Sequence, residues 1–380
     1  MQPIKLFFEG NETISDSVRV GNVGSGDLEV IFLPASSNKT QVVINTSVNN
    51  RQQLWSDILD KCLGKERLLM DVLINDFAAT PGVVSLRVEQ ALEQIKQGKN
   101  PPVSGKFGIS FVELSSRERA HYLLDDGSQR EVLGPEKNLT SPWLIPQGIV
   151  PQSDDGCIVM KGTMNSLNTV VIGIEGAFQG GAIGEVSGAK MAAALDLALQ
   201  DNQQGKTTQV VLLLETGGVR LQEANLGLAA IADIHSSIVA LREHINVIGV
   251  IAGSVGCFGG MSMAAALCST LIVTQEARLG LNGPAVIEQE AGIEEYDSRN
   301  RPFIWSITGG AQRHASGFAD YFSQDNADEI KQAVIQRQNS DLKTVRCEQI
   351  EHYLSIFNKI NKQDQSTPEL VRKYFSEGAA

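Results

Sequence analysis

The sequence predicts an α/β protein with two domains. Short apolar strands alternate with helical patterns along the chain, and the later strands are almost continuously apolar, which is typical of a sheet buried on both faces. A stretch rich in Gly, Pro and Ser, GKNPPVSGKFG at 98–108, ends a helical pattern, and 380 residues are enough for two cores. We therefore predict domains at 1–98 and 110–380, joined by a linker at 99–109.

The first domain is predicted to be a small α/β fold. Clusters of β-branched residues between turn residues predict strands at Leu28–Pro34 and Gln41–Thr46. Helical periodicity predicts helices near Asn50–Leu63 and Val84–Gln97.

The second domain alternates strands and helices more regularly, as a larger α/β fold does. We expect its first two strands to be neighbours and the end of the chain to form helices outside the core or on a partner. In order, the predicted elements are strands Cys157–Gly162 and Thr169–Ile174, helix Gly184–Gln200, strand Gln209–Leu214, helix Gln222–His244, strand Val247–Ile251, helix Gly259–Leu267 and strand Thr270–Thr274.

Composition excludes several classes of function. The net charge of −12 repels the phosphates of nucleic acids and of anionic lipids, so neither is expected as a partner. The five cysteines include no CxxC pair and no nearby histidine at ligand spacing, which argues against structural zinc. Their odd number, without a signal peptide, favours reduced thiols. The start, MQPIKLFFEG, is unlike a signal peptide and no run is long enough to span a membrane, so we expect a cytoplasmic protein.

Two glycine-containing turns each follow a buried strand, ETGGVR at 215–220 and GCFGGMS at 256–262. A single Gly-Gly pair more often serves only to avoid steric strain at the start of a helix. The carboxyl ends of neighbouring strands, however, open into one crevice, where two such turns can aim backbone N–H groups at one oxygen. The pair of turns therefore predicts an oxyanion site suited to an enolate.

Other candidates for chemistry are weaker. The glycine-rich stretch at 178–190 does not match the phosphate-loop pattern, and no Ser-His-Asp order supports a hydrolase. His235 and His244 lie on a predicted surface helix, where a structural role is expected. Charged residues at strand ends are more often solvated or paired than catalytic, so the roles of four of them stay open. These four are Glu215, Arg220, Glu288 and Glu290.

Ser25 stands between two glycines in VGSGDL at 23–28. Ser, Gly and Asp all favour turns, and a plain β-turn is the simpler interpretation of this composition. The functional alternative is an exposed hydroxyl that a modifying enzyme can reach.

Taken together, these segments resemble the biotin-independent malonate decarboxylases, with two subunits of that enzyme joined in one chain. Residues 1–98, with VGSGDLEV and DFAATPGVV, resemble the delta subunit, which is an acyl carrier protein. From Ser110 onward the chain resembles the beta subunit, in FVELSSRERA, SPWLIPQGIVPQSDDG, IEGAFQGGAIGEVSGAK, LLLETGGVRLQEANLGLAAIA, GCFGGMS and LGLNGPAVIEQEAGIEEYDSR. The resemblance covers nearly the whole chain.

This resemblance implies a crotonase-like fold for the second domain and a carboxy-lyase activity that converts malonyl-S-carrier into acetyl-S-carrier. It implies that Ser25 carries 2'-(5''-phosphoribosyl)-3'-dephospho-coenzyme A, with no biotin and no metal. It assigns the oxyanion contacts to Gly217 or Gly218 and to Gly259 or Gly260. The implied partners are a gamma-like decarboxylase subunit, an alpha-like acyl-carrier transferase subunit, and the prosthetic-group and malonyl transferases.

Two alternatives remain. The second domain also resembles the carboxyltransferase half of a biotin-dependent acyl-CoA carboxylase, although biotin would be attached to a lysine and not within GSGD. A chain without catalysis could instead be a scaffold that only presents the acyl arm to other subunits. The linker is short, with an average reach of about 20 Å, so the arm is expected to supply much of the movement.

Overall fold

The computed structural model describes residues 3–97, 108–340, 346–360 and 367–378. These residues form two compact units that are not continuous in sequence. The first unit contains Met1–Val103, Leu133–Gly156 and Ala177–Gln179, and the second contains Ser104–Val132, Cys157–Gly176 and Gly180–Ala380. Most of the predicted linker lies outside the described residues, so the linker stays a prediction.

A mixed sheet with the order β1-β5-β6-β4-β3 forms the centre of the first unit, and β2 pairs with β6. Strands β5 and β6 are parallel neighbours, and helix α1 connects them. The pairs β1 with β5, β3 with β4, and β4 with β6 are antiparallel. The elements are β1 Ile4–Phe8, β2 Glu12–Thr13, β3 Val18–Val20, β4 Leu28–Pro34, β5 Thr40–Thr46, α1 Gln52–Leu63, β6 Leu68–Asp76 and α2 Pro81–Gln97.

The predicted strands and helices of this unit are confirmed, and β4 has the predicted bounds. Strand β6 was not predicted, because Asp71, Asn75 and Asp76 make a polar segment of what is a central strand. Its alternate residues nevertheless enter the core, which contains Val30, Phe32, Val42, Ile44, Trp55, Leu59, Met70, Val72, Ile74, Val84 and Val88.

The second unit is built on a seven-stranded sheet with the order β13-β12-β11-β10-β9-β8-β7. Strands β9 to β13 are parallel, and β7 and β8 add an antiparallel edge. Its strands are β7 Arg130–Glu131, β8 Cys157–Met164, β9 Leu167–Ile174, β10 Gln209–Leu213, β11 Ile248–Ile251, β12 Thr270–Val273 and β13 Tyr321–Phe322. Its helices are α3 Ser116–Leu123, α4 Glu185–Gln203, α5 Asn225–Leu241, α6 Gly260–Leu267, α7 Pro284–Ala291, α8 Arg301–Thr308, α9 Gly310–Ala315, α10 Ala327–Gln338, α11 Ile350–Phe357 and α12 Pro368–Gly378.

Every residue of β10, β11 and β12 is buried, as their apolar runs predict. Helices α4, α5 and α6 contribute to the core on one face, and α3 and α10 contribute to the core on the other. Since β10 and β11 are parallel and adjacent, the loops that follow them leave the same edge of the sheet. This placement brings the two glycine turns to one side.

The structure confirms each predicted strand and helix of the second unit, including the antiparallel pair β8 and β9. Helix α3 was not predicted, although Ser115 and Glu118 form a capping box that marks its start in the sequence. No described helix is long and apolar enough to cross a membrane.

Candidate active site

The two glycine turns are joined by backbone hydrogen bonds. The amide of Thr216 donates to the carbonyl of Gly256 at 2.7 Å, and the amide of Phe258 donates to the carbonyl of Thr216 at 2.9 Å. Thr216 and Cys257 thus form a parallel bridge that extends the pairing of β10 with β11 beyond the strands. The structure therefore brings the two predicted turns together.

Gly218 and Gly259 lie against each other where the two turns meet. Their φ angles are +106° and +60°, which L side chains rarely adopt. A Cβ atom on either residue would lie 3.2 Å from the Cα of the other. Glycine is therefore required at both positions by conformation and by space.

Three of the four predicted oxyanion glycines use their amides inside the chain. The acceptors are the carbonyl of Gly180 at 2.9 Å for Gly217, Thr216 Oγ1 at 3.0 Å for Gly218 and the carbonyl of Leu281 at 2.7 Å for Gly259. These three amides shape the turns, and they are not free to bind a ligand in this arrangement.

The fourth predicted glycine, Gly260, is the first residue of α6, where a helix has no internal acceptor for its N–H group. Neither Gly260 nor Val219 donates its amide to any residue that the structure describes. The Val219 nitrogen lies 3.9 Å from the place that a Cβ of Gly259 would occupy. Two unused amides, one from each turn, therefore border Gly259, and Val219 was not predicted.

Helix α5 contacts the first residue of α6. A Cβ on Gly260 would lie 2.9 Å from Ile231 Cγ2, so the two helices are in close contact there. One helical turn further, His235 Nε2 donates to the carbonyl of Gly260 at 2.8 Å. His235 was predicted to have a structural role on a surface helix, and it lies four residues after Ile231, on the same face of α5.

Glu215 is buried at the end of β10 and is not a solvent-facing acid or base. Its Oε1 lies 3.3 Å from Arg119 Nη1 and accepts a hydrogen bond from the amide of Gly253. Burial raises the pKa of this carboxyl group, and the Arg119 guanidinium opposes that increase. Glu215 thus connects the first turn to the segment that follows β11.

The other three charged candidates have different surroundings in the structure. Arg220 is 1% exposed, lies 3.2 Å from Glu223 and donates to the carbonyl of Ala182 at 2.9 Å, so its role is internal. Glu288 on α7 accepts hydrogen bonds from Ser298, which lower its pKa. Glu290 is exposed on the same helix.

We expect Arg119→Met to lower the free energy of unfolding by about 3–5 kcal/mol at neutral pH, because it leaves the buried Glu215 carboxylate without its cation. Losing the cation raises the Glu215 pKa further, so the folded state binds a proton more tightly than the unfolded state. The destabilisation should therefore be smallest near pH 4, where only the loss of the hydrogen bonds from Arg119 to the carbonyls of Phe111 and Val112 contributes, and it should grow as the pH rises toward the folded pKa. Urea unfolding at several pH values measures this.

Glu215→Gln in the Arg119→Met background is the matched control for this prediction, because it removes the titrating group. The pH dependence should disappear in the double variant. A destabilisation by Arg119→Met that is the same at every pH would contradict the assignment to Glu215.

Ser25 lies on an exposed turn of the first unit. The carbonyl of Gly24 accepts from the amide of Asp27 at 2.9 Å, and Gly26 has a φ of +78° with open space around its Cα. Asp27 forms an ion pair of 2.7 Å with Arg87, which fixes the turn to α2. Ser25 is exposed to solvent.

The described part of the chain contains no group of three or more His, Cys, Asp or Glu side chains that could hold a metal ion.

Two family models match the chain. The first, described as malonate decarboxylase delta subunit (MdcD), matches residues 15–95. The second, described as carboxyl transferase domain, matches residues 113–370, which is more than half of the chain. The chain belongs to the carboxyl transferase family. The predicted fold class, a small carrier domain followed by a crotonase-like domain, is thereby confirmed.

This carboxyl transferase chain is 38% identical over 250 residues to the malonyl-S-ACP:biotin-protein carboxyltransferase MADC of Malonomonas rubra, with 62% of this chain and 79% of the relative covered. It is 57% identical to a chain of the Pseudomonas malonate decarboxylase hetero-tetramer in complex with malonate, with a TM-score of 0.69. The match covers 70% of this chain and 97% of the Pseudomonas chain. For a chain of the Pseudomonas MdcD-MdcE hetero-dimer the identity is 51% and the TM-score is 0.57. That match covers 66% of this chain and 97% of the Pseudomonas chain. The predicted resemblance to malonate decarboxylase is confirmed.

Proposed function

We propose that this chain carries a malonyl thioester on a prosthetic group at Ser25 and decarboxylates it to the acetyl thioester, as one subunit of a malonate decarboxylase. The observation that carries the proposal is the meeting of two glycine turns that leave the amides of Val219 and Gly260 unused. Two N–H groups from separate turns can point at one thioester oxygen, which is the arrangement that acyl chemistry requires.

Two N–H groups at this position would stabilise the negative charge that develops during decarboxylation. When the C–C bond to the carboxylate breaks, its electron pair moves onto the thioester, and negative charge collects on the thioester oxygen. A donor aimed at that oxygen contributes about 3 kcal/mol in a site that excludes water. In this proposal Gly260 and Val219 are the donors, while Gly217, Gly218 and Gly259 hold the turns in place.

The prosthetic group supplies the thiol that holds the acyl group as a thioester. We assign 2'-(5''-phosphoribosyl)-3'-dephospho-coenzyme A to this position because Ser25 matches the modified serine that the resemblance to the delta subunit implies. The exposed Ser25 hydroxyl, with no side chain on Gly26 beside it, leaves room for a phosphodiester. The turn itself is held by the Asp27–Arg87 ion pair, so a bulky substituent need not disturb the fold.

We assign the gamma-like subunit to the apolar surface around the second turn. Leu281, whose carbonyl accepts from Gly259, is 61% exposed, and Met263 on α6 is 49% exposed. Large exposed apolar side chains that form one patch are typical of a protein interface. Leu221, Leu226 and Leu228, which follow the first turn, and Val286 on α7 are also exposed. An alpha-like transferase would exchange the acyl groups, and separate transferases would load the arm.

Carboxyl transfer to a biotin protein is the second candidate function. It is favoured by the identity to MADC of Malonomonas rubra, whose described activity is that transfer. Both reactions need the same stabilised oxygen and differ only in the fate of the carboxyl group. The higher identity to Pseudomonas malonate decarboxylase favours decarboxylation.

The test uses the chain coexpressed with its gamma-like and alpha-like subunits and its loading enzymes, and malonate labelled in a carboxyl carbon. We expect all the label lost from the thioester to leave as carbon dioxide, and avidin to have no effect. Label transferred to an added biotinyl protein, with turnover blocked by avidin, would support the second candidate. Turnover without any label at Ser25 would contradict both.

A further inference from the structure

Residues 133–156 lie inside the range matched by the carboxyl transferase family, yet they fold with the carrier domain as part of the first compact unit. The strand before them, β7, and the strand after them, β8, belong to the second unit. Their sequence includes SPWLIPQGIVPQSDDG at 141–156, to which no role has so far been assigned. We refer to 133–156 as the docking segment.

A buried ionic network joins the docking segment to the carrier sheet. The Glu29 carboxylate on β4 is fully buried and lies 2.8 Å from Arg19 Nε. Asn75 Nδ2 donates to Glu29 at 2.7 Å, and Ser153 donates both its amide, at 3.3 Å, and its hydroxyl, at 3.2 Å. Two of the four donors to this carboxylate thus come from the docking segment.

An apolar cluster joins the same two parts beside the prosthetic-group turn. Val23, two residues before Ser25, is buried together with side chains of the docking segment, and Phe77 packs on the cluster from the carrier side. The other members are Leu144, Ile149, Val150 and Phe178. Separation would expose this cluster to water, which is unfavourable roughly in proportion to the apolar area exposed.

The contacts leave the attachment point free. A Cβ on Gly24 would lie 3.8 Å from the carbonyl of Ala177, so the turn is covered on that side. Ser25 and Gly26 are exposed on the other side. Ala177 therefore lies beside the turn at Gly24, while Ser25 stays exposed to solvent.

We propose that the docking segment, with Ala177–Gln179, is a permanent docking site that keeps the carrier fold in place during turnover. The carboxylate network and the apolar cluster together make this contact resemble a domain core more than a transient interface. If the carrier stays bound to the docking segment, only the arm on Ser25 moves during turnover, and this consequence rests on the proposed function. The docking itself does not rest on the proposed function, and it is tested without measuring turnover.

The experiment uses the full chain with a protease recognition sequence inserted between Gln97 and Gly108. The chain is folded, cleaved there and applied to a size-exclusion column over a dilution series. We expect the two fragments to elute together. Fragments that separate while each keeps its circular dichroism spectrum would overturn the proposal.

Variants then test whether the described contacts carry the association. Ser153→Glu removes the hydroxyl donor and places a second carboxylate beside Glu29, so we expect the apparent Kd of the cleaved complex to rise by more than about 100-fold. Asn138→Asp adds the same charge at an exposed position of the docking segment without changing the size of the side chain, and it should have no effect. Ser153→Ala, which adds no atoms, should raise the Kd by about 10-fold.

Glu29→Gln in the Ser153→Glu background removes the repulsion and should recover most of the association. Cleaved Ser153→Ala and Ser153→Glu chains that associate as tightly as the unmodified chain would overturn the assignment of the docking to this network.

Discussion

Replacing Gly260 with proline is expected to lower kcat for decarboxylation by about 100- to 1,000-fold, which is the usual cost of removing one oxyanion donor. Proline has no N–H group and is well tolerated at the first position of a helix, which Gly260 occupies in α6. The substitution therefore removes the proposed donor and leaves the helix intact. The measurement is steady-state carbon dioxide release by the assembled complex.

Gly260→Ala is the matched control, because it keeps the N–H group and places the same Cβ against Ile231, where it would lie 2.9 Å from Cγ2. Making both substitutions in an Ile231→Ala background removes that contact in both variants, because alanine has no γ carbon. A proline variant that is as active as the alanine variant would contradict the donor role of Gly260. A large loss in a complex that still assembles would exclude the scaffold alternative.

Ser25→Ala is expected to abolish malonate turnover by the complex entirely, because the acyl group then has no point of attachment. Stability should be unchanged, since the side chain is exposed and makes no hydrogen bond to the described residues. The mass of the tryptic peptide Val20–Lys39 from protein made in its native host measures the modification directly. The unmodified chain should show the 2'-(5''-phosphoribosyl)-3'-dephospho-coenzyme A adduct, and the variant should not.

Ser36→Ala is the control for this prediction, since Ser36 is an exposed serine of the same tryptic peptide. It should keep both the adduct and the activity. An unmodified Val20–Lys39 peptide from cells that are consuming malonate would contradict the carrier role and would make free coenzyme A thioesters the leading substrates.

Local sequence patterns were sufficient to predict most of the strands and helices and the approximate position of the candidate site. The apolar runs of β10, β11 and β12 and the glycine pairs that follow β10 and β11 are visible in the sequence. Strand β6 was missed because a central strand can carry polar residues where tertiary partners satisfy them, as Asn75 does through Glu29 and Asn45. A local sequence pattern contains the polarity of such residues but does not reveal their hydrogen-bond partners, which are distant in the sequence.

The sequence alone determined the class of fold, the turn that presents Ser25 and the two glycine turns, because periodicity and glycine content act over a few neighbouring residues. Only the tertiary structure decided which amides are unused. The acceptors for Gly217 and Gly259 are carbonyls from other segments, at Gly180 and Leu281, and only long-range packing brings them close. The pairing of Glu215 with Arg119 was decided in the same way.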